Sequence, residues 1–246
     1  MDSQPGWAAC VDAVAFAKNS DGSFYMNGHS LCKEKDAADG GRYHQSMRIA
    51  FFGGSFDPPH RGHLAIAAAA ANRFQLDQVL FAPVGQQPLK QPGALTAFED
   101  RLAMVVLACA ADARFVPCNA DAPRTDGQPN YTIDTLTAAR ATLPPGTELF
   151  CLVGADSFAD LPRWREPERL LTLCEWIVVS RPGFALPIAA PEAAARVHIL
   201  NGVCEDVSAT AIRAEIQHRP DDHLTQDAVL PDTVMEYIRQ HRLYGA

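Results

Sequence analysis

The chain has 246 residues, 48% hydrophobic and 20% charged, which suits one α/β domain or two small ones with a sizeable core. A formal net charge of −8 argues against a general nucleic-acid binder, yet it leaves room for small anionic ligands gripped by a local cluster of cations. No apolar run reaches the ~18–20 residues of a membrane span, and the N-terminus lacks the basic-then-apolar order of a secretory signal, so no membrane association is expected.

Residues 1–46 differ from the rest. Asp12 to Lys18 supports a helical turn or two, and Asn19 to Gly41 is rich in Asp, Lys, Gly and Ser with no sustained period. The expectation is a disordered or mis-assigned extension over 1–46, followed by one domain over 47–246. Met47 to Phe52 is a short apolar run, the pattern of a buried parallel strand. Gly53 and Gly54 end it as a turn able to adopt positive φ and to let backbone approach a ligand. Pro58 and Pro59 forbid helix just before His60, and an alanine-rich helix runs from Leu64 to Phe74. Strand, glycine turn and helix start therefore follow one another. Such a helix start offers free N–H groups and the positive end of a dipole to phosphate, with His60 and His63 on one side of the first turn.

Further strands are predicted at Gln78 to Val84, Arg114 to Pro117, Glu148 to Val153, Glu175 to Ser180 and Arg196 to Leu200. Thr96 to Glu99 reads as a capping box opening a helix to about Ala110. Other helices span Thr132 to Thr142, Ser208 to His218 and Pro231 to Arg242. Alternation of this kind implies parallel βαβ units in a doubly wound α/β sheet, closed by C-terminal helices. Ligands in such sheets sit at the carboxyl ends of strands, here after Phe52, Val84, Val153 and Ser180. The seven cysteines include no Cys-x-x-Cys; Cys109, Cys151 and Cys174 fall in apolar runs and read as free core thiols, which suggests a reducing cytoplasm. His198, His218, His223 and His241 show no ligand spacing with cysteine, so no protein-built metal site is expected.

Several segments suit an anionic substrate. Ser208 is a good N-cap with Thr210 in the first turn, and Arg213 has a planar fork that matches phosphate. Lys90 follows the second main strand on a loop. Asn130 to Thr135 opens a helix whose N–H groups suit a carboxylate, with Thr132 able to cap it. Gly154-Ala155-Asp156-Ser157 ends a strand, and Trp164 could stack on a heteroaromatic ring, whereas Trp176 on its apolar strand reads as core.

His60-Arg61-Gly62-His63 resembles the His-x-Gly-His signature of the nucleotidylyltransferase superfamily, and Gly53 to His60 is similar to the opening motif of bacterial nicotinate-nucleotide adenylyltransferases. The likeness continues through Pro83 to Lys90, Tyr131 to Thr135, Gly154 to Ser157, Trp164 and Val207 to Arg213, in family order. Gln87, Leu89 and Ala209 depart from the pattern. The resemblance implies a Rossmann-like nucleotidylyltransferase fold and an enzyme that joins ATP to nicotinate mononucleotide, giving nicotinate adenine dinucleotide and pyrophosphate in NAD biosynthesis. It implies catalytic roles for His60, His63 and Arg213. Gly53, Gly54, Ser55, Phe56, Gly154, Asp156, Ser208 and Thr210 would line the ATP site. Lys90, Tyr131, Thr132, Trp164 and Arg165 would hold the mononucleotide, the last by its backbone N–H. Mg²⁺ would travel with ATP. Rival readings are a sister transferase acting on nicotinamide mononucleotide or phosphopantetheine, and a non-catalytic nucleotide sensor. The sequence does not set the oligomeric state, and a homo-oligomer is allowed.

Overall fold

The computed structural model describes residues 16–18, 24–26, 46–88, 95–180, 195–202, 207–218 and 229–246. Two short strands come first, β1 (Phe16–Lys18) and β2 (Phe24–Met26), paired antiparallel. The helical turn expected up to Lys18 is thus a strand at its C-terminal end. The rest of 1–45 lies outside the described residues.

Six strands make the main sheet: β3 (Arg48–Gly54), β4 (Gln78–Pro83), β5 (Phe115–Pro117), β6 (Glu148–Gly154), β7 (Glu175–Val179) and β8 (Val197–Leu200). All pairings in it are parallel, in the order β5-β4-β3-β6-β7-β8. The helices are α1 (Arg61–Phe74), α2 (Phe98–Cys109), α3 (Thr132–Thr142), α4 (Ala155–Ala159), α5 (Pro167–Leu173), α6 (Ala209–His218) and α7 (Asp232–Gln240), with a last 3₁₀ turn at Leu243–Gly245. This is the doubly wound architecture, and its strand order reverses between β3 and β6.

The two-residue period of β3 decides what lies on each face. Ile49 and Phe51 join Leu80, Leu136, Leu149 and Trp176 in one core. Ala50 and Phe52 turn the other way, among Phe56, Phe81, Phe150 and Leu152 and under the small residues Ala67, Ala70 and Ala71 of α1. Alanine suits that position because it lets helix and sheet approach closely. A third cluster joins α2, α6 and α7 through Met104, Ile212, Ile216, Val234 and Ile238. Trp176 is fully buried, as expected of a core residue, and Cys109, Cys118, Cys151 and Cys174 are buried and free. Among the described residues no helix is long and apolar enough to cross a membrane.

Three local expectations are corrected. Gly53 and Gly54 do not form a turn after β3 but are its last two residues, paired with Ala82 and Pro83, and neither has positive φ. They are needed for space: a Cβ at Gly53 would stand 2.9 Å from the Phe51 ring, and one at Gly54 3.2 Å from the Phe56 ring. The turn itself falls at Phe56, with φ of 45°. The capping box at Thr96 does not form. Helix α2 starts at Phe98 with Ala97 as its cap, because the Thr96 backbone is engaged elsewhere: its N–H donates to Asp57 Oδ2 at 3.1 Å and its carbonyl accepts from Arg101 Nε at 2.9 Å. Helix α3 is capped at Tyr131, not Thr132, and by backbone alone: the Tyr131 carbonyl accepts from Asp134 and Thr135.

A glycine unremarked in the sequence fixes the loop after β4. A Cβ at Gly85 would meet the backbone of Pro123 at 2.5 Å. Beside it Asn130 accepts from Gln86 N–H and donates to the Ala122 carbonyl, so this contact holds the entry to α3. Gly85→Ala should lose about 2 kcal/mol of stability through overpacking, while Gly154→Ala, into open space at an ordinary φ, should stay within about 0.5 kcal/mol. Urea unfolding of both variants checks this; equal midpoints would contradict it.

Candidate active site

The carboxyl ends of β3 and β6, where the strand order reverses, border a cavity of about 530 Å³. Gly53, Gly54, Ser55 and His63 line one side of it; Tyr131, Thr132, Gly154, Trp164 and Arg165 line other parts.

His60 is the N-cap of α1 and His63 its third residue. Their rings stack with centroids 3.7 Å apart, and His63 Nδ1 accepts from the His60 backbone N–H at 3.2 Å. The pair is wedged against aromatic surface, the His63 ring lying 5.0 Å from Phe56 and 6.1 Å from Phe52. Burial draws the His60 imidazole down to about 4. His63 also titrates well below its ordinary range, through burial and then through His60. Burial thus favours the neutral form of both imidazoles in the ligand-free protein. Nδ1 of His60 is buried without a hydrogen-bond partner among the described residues. A buried polar atom of this kind is uncommon.

Arg213 comes from the distant α6 into the same region. Its Nη1 donates to the Asp57 carbonyl at 2.7 Å and its Nη2 to Thr210 Oγ1 at 3.3 Å. Asp57 is three residues before His60, so the guanidinium and the imidazoles share one loop. Ser208 is exposed ahead of α6 and its carbonyl accepts from Ile212 N–H.

Other expected residues fall differently. Phe56 is 1% exposed and puts its ring into the core below the cavity, so its side chain is packing. Asp156 is exposed in the first turn of α4, while its neighbour Ser157 lines the cavity. Trp164 is half-buried, tilted beside Trp176 at 6.3 Å. The Arg165 guanidinium lies over the Tyr131 ring at 4.8 Å and 3.6 Å from Asp134. Lys90 lies outside the described residues. Missed from the sequence were the buried Asp57 and Arg101 and the buried Asp121, which accepts from the Thr135 hydroxyl at the start of α3. Asp57 lies within the Gly53–His60 motif, which could have marked it, whereas Arg101 and Asp121 carry no local pattern; a charged residue on a helix or loop ordinarily reads as solvated.

A parallel sheet with an imidazole and a helix start at the cleft of its switch point, and a guanidinium held on the adjoining loop, is the arrangement of a nucleotidyltransferase. The cytidylyltransferase-like family model matches residues 51–215. A protein of Roseiflexus sp. (strain RS-1) named "Probable nicotinate-nucleotide adenylyltransferase" is 41% identical over 206 residues, covering 81% of this chain and 98% of its own. A protein of the same name from Solibacter usitatus (strain Ellin6076) is 38% identical over 201 residues, with 81% and 100% covered. The solved structure of Plasmodium falciparum nicotinic acid mononucleotide adenylyltransferase complexed with NaAD shares the fold, with a TM-score of 0.66 at 18% identity over 80% of this chain and 97% of that one. The chain belongs to the nicotinate-nucleotide adenylyltransferase family of nucleotidyltransferase enzymes.

Two imidazoles kept neutral by the fold have a consequence for stability. Between pH ~6.5 and about 4 the unfolded chain binds protons that the folded one rejects, so stability falls as pH falls through that window. Urea unfolding of the ligand-free protein at pH 7 and 4.5 should show this, and His60→Gln should remove about 2 kcal/mol of the difference. The same pH dependence in variant and wild type would contradict the buried neutral pair.

Proposed function

We propose that this chain transfers the adenylyl group of ATP to nicotinate mononucleotide, releasing nicotinate adenine dinucleotide and pyrophosphate, as a step of NAD biosynthesis. The observation that carries the reading is the stacked His60–His63 pair at a helix start, joined to Arg213 through the loop at Asp57, with His63 lining one cavity together with Tyr131, Thr132 and Trp164.

The acceptor brings its own nucleophile. A phosphate monoester has a second pKa near ~6 and is mostly dianionic at pH 7, so no general base is needed. The enzyme must align two anions that repel each other and stabilise charge on the α-phosphate and the departing pyrophosphate. His60 and His63 donate N–H groups to the ATP phosphates. Entry of a polyanion favours the protonated ring, so each imidazole shifts toward its charged form as ATP binds. Arg213 takes the β- and γ-phosphates, and the backbone N–H groups at the start of α1 supply neutral donors. Gly154, Asp156, Ser208 and Thr210 border the nucleotide.

The start of α3 at Tyr131 and Thr132 suits the pyridine carboxylate, aided by the Arg165 N–H, and Trp164 supplies a face for the ring. Lys90 is assigned to the mononucleotide phosphate. Among the described residues no cluster of three His, Cys, Asp or Glu side chains could cage a metal ion. Imidazole and guanidinium donors suit phosphate oxygens, which fits Mg²⁺ entering on ATP with phosphate and water as its ligands. When bound, it would neutralise phosphate charge.

Pyrophosphate release with ATP and each acceptor tests the reading. Nicotinate mononucleotide should be turned over faster than the nicotinamide form; the reverse order would favour a sister transferase, and no release would favour a nucleotide sensor. His63→Ala should lose turnover by about 10²-fold, the usual scale for one such donor, and activity within threefold of wild type would remove its role. Trp164→Ala should raise KM for nicotinate mononucleotide by about tenfold, the scale of one lost stacking contact, with KM for ATP unchanged.

A further inference from the structure

Behind the cavity lies a polar cluster that the chemistry above does not use. Asp57 is 2% exposed. Its Oδ1 accepts from the Tyr244 hydroxyl at 2.6 Å and its Oδ2 from the Thr96 N–H at 3.1 Å. Arg101, 1% exposed, donates from Nη1 to the Ser55 carbonyl at 2.9 Å and from Nε to the Thr96 carbonyl at 2.9 Å. Tyr244 is 187 residues from Asp57 in sequence and sits in the last turn of the chain. That turn is strained: Arg242 and Tyr244 both have left-handed φ, 51° and 59°. Non-glycine residues keep that conformation only where surrounding contacts enforce it, and such residues cluster at functional sites.

We propose that Tyr244 and Asp57 are positioning residues for the triphosphate site, acting through Arg213. The inference rests on the reading of Arg213 as a phosphate ligand. A guanidinium on an exposed helix is ordinarily free to swing. Here Nη1 is held on the Asp57 carbonyl at 2.7 Å and Nη2 on the Thr210 hydroxyl at 3.3 Å, which orients the fork and leaves its other N–H groups for phosphate. The carbonyl can act as a reference point only if its own residue is fixed. Asp57 is fixed at its carboxylate, by the Tyr244 hydroxyl on one oxygen and the Thr96 N–H on the other. Burial first, then Asp57, pushes the Tyr244 phenol up, so it stays a donor across the physiological range.

The test is binding of a non-hydrolysable ATP analogue by calorimetry, together with steady-state KM values, on the full chain. Tyr244→Phe should weaken the analogue by about tenfold and raise KM for ATP to match, with KM for nicotinate mononucleotide within twofold of wild type. In an Arg213→Ala background the same Tyr244→Phe change should cost less than twofold, because the residue it positions is gone. Asp57→Asn should show the same pattern, and it carries the test should Tyr244→Phe fail to fold. Analogue binding within twofold of wild type in the folded variant, an equal loss for both substrates, or an undiminished loss without Arg213 would each overturn the inference alone. A wild-type protein that bound no analogue would overturn the functional reading along with it.

Discussion

Two imidazoles stacked at 3.7 Å on the first turn of α1 are the contact on which the rest of the site depends. His63 meets Phe52 and Phe56 edge-on and His60 stacks on His63, so both rings are buried, and burial favours their uncharged form. A site built of permanent cations would bind any polyanion. Neutral rings that gain charge only as the ligand arrives place part of their affinity in the bound state. They also cost the empty protein less than two buried positive charges facing each other would. The arrangement needs a narrow loop, and much of the surrounding sequence serves to shape it.

That shaping is done by space as much as by hydrogen bonds. Gly53 and Gly54 leave room for the rings of Phe51 and Phe56 beside the cavity they line. Phe56, turning at positive φ, drives its ring into the core and so directs the backbone toward Asp57 and His60. Arg101 and Thr96 then pin Ser55 and Asp57 from behind. On the far side of the cavity, Gly85 allows the Pro123 backbone close, and Asn130 bridges the two loops that bring α3 to the site. Sheet, helix and loop thus converge on one opening at the switch point between β3 and β6.

What could be read beforehand was what depends on near neighbours in sequence. The apolar run at β3, the alanine-rich helix α1, the burial of Trp176 and the alternation of strands with helices all follow from period and composition, and all are present. The His60–His63 spacing foretold a shared face because three residues make nearly a helical turn. Thr96 shows where local reading stops. Its spacing to Glu99 satisfies a capping rule, but its backbone is claimed by Arg101, five residues on, and by Asp57, 39 residues back, whose approach no short window reveals. Gly53 and Gly54 looked like a turn because glycine pairs usually are, whereas here the requirement comes from two aromatic rings. Arg101 and Tyr244 gave no local sign of their roles, since each is defined by contacts across the fold.

The central claim is that His60 and His63 are neutral in the empty protein and meet phosphate when ATP binds. It is tested most directly by ¹⁵N NMR of the two imidazoles, titrated from pH 4 to 8 with and without a non-hydrolysable ATP analogue. The account predicts that both rings are uncharged at pH 7 alone, with His60 titrating near 4, and that both midpoints move upward once the analogue is bound. Imidazoles charged at pH 7 in the empty protein, or midpoints that do not move while the analogue binds, would contradict it.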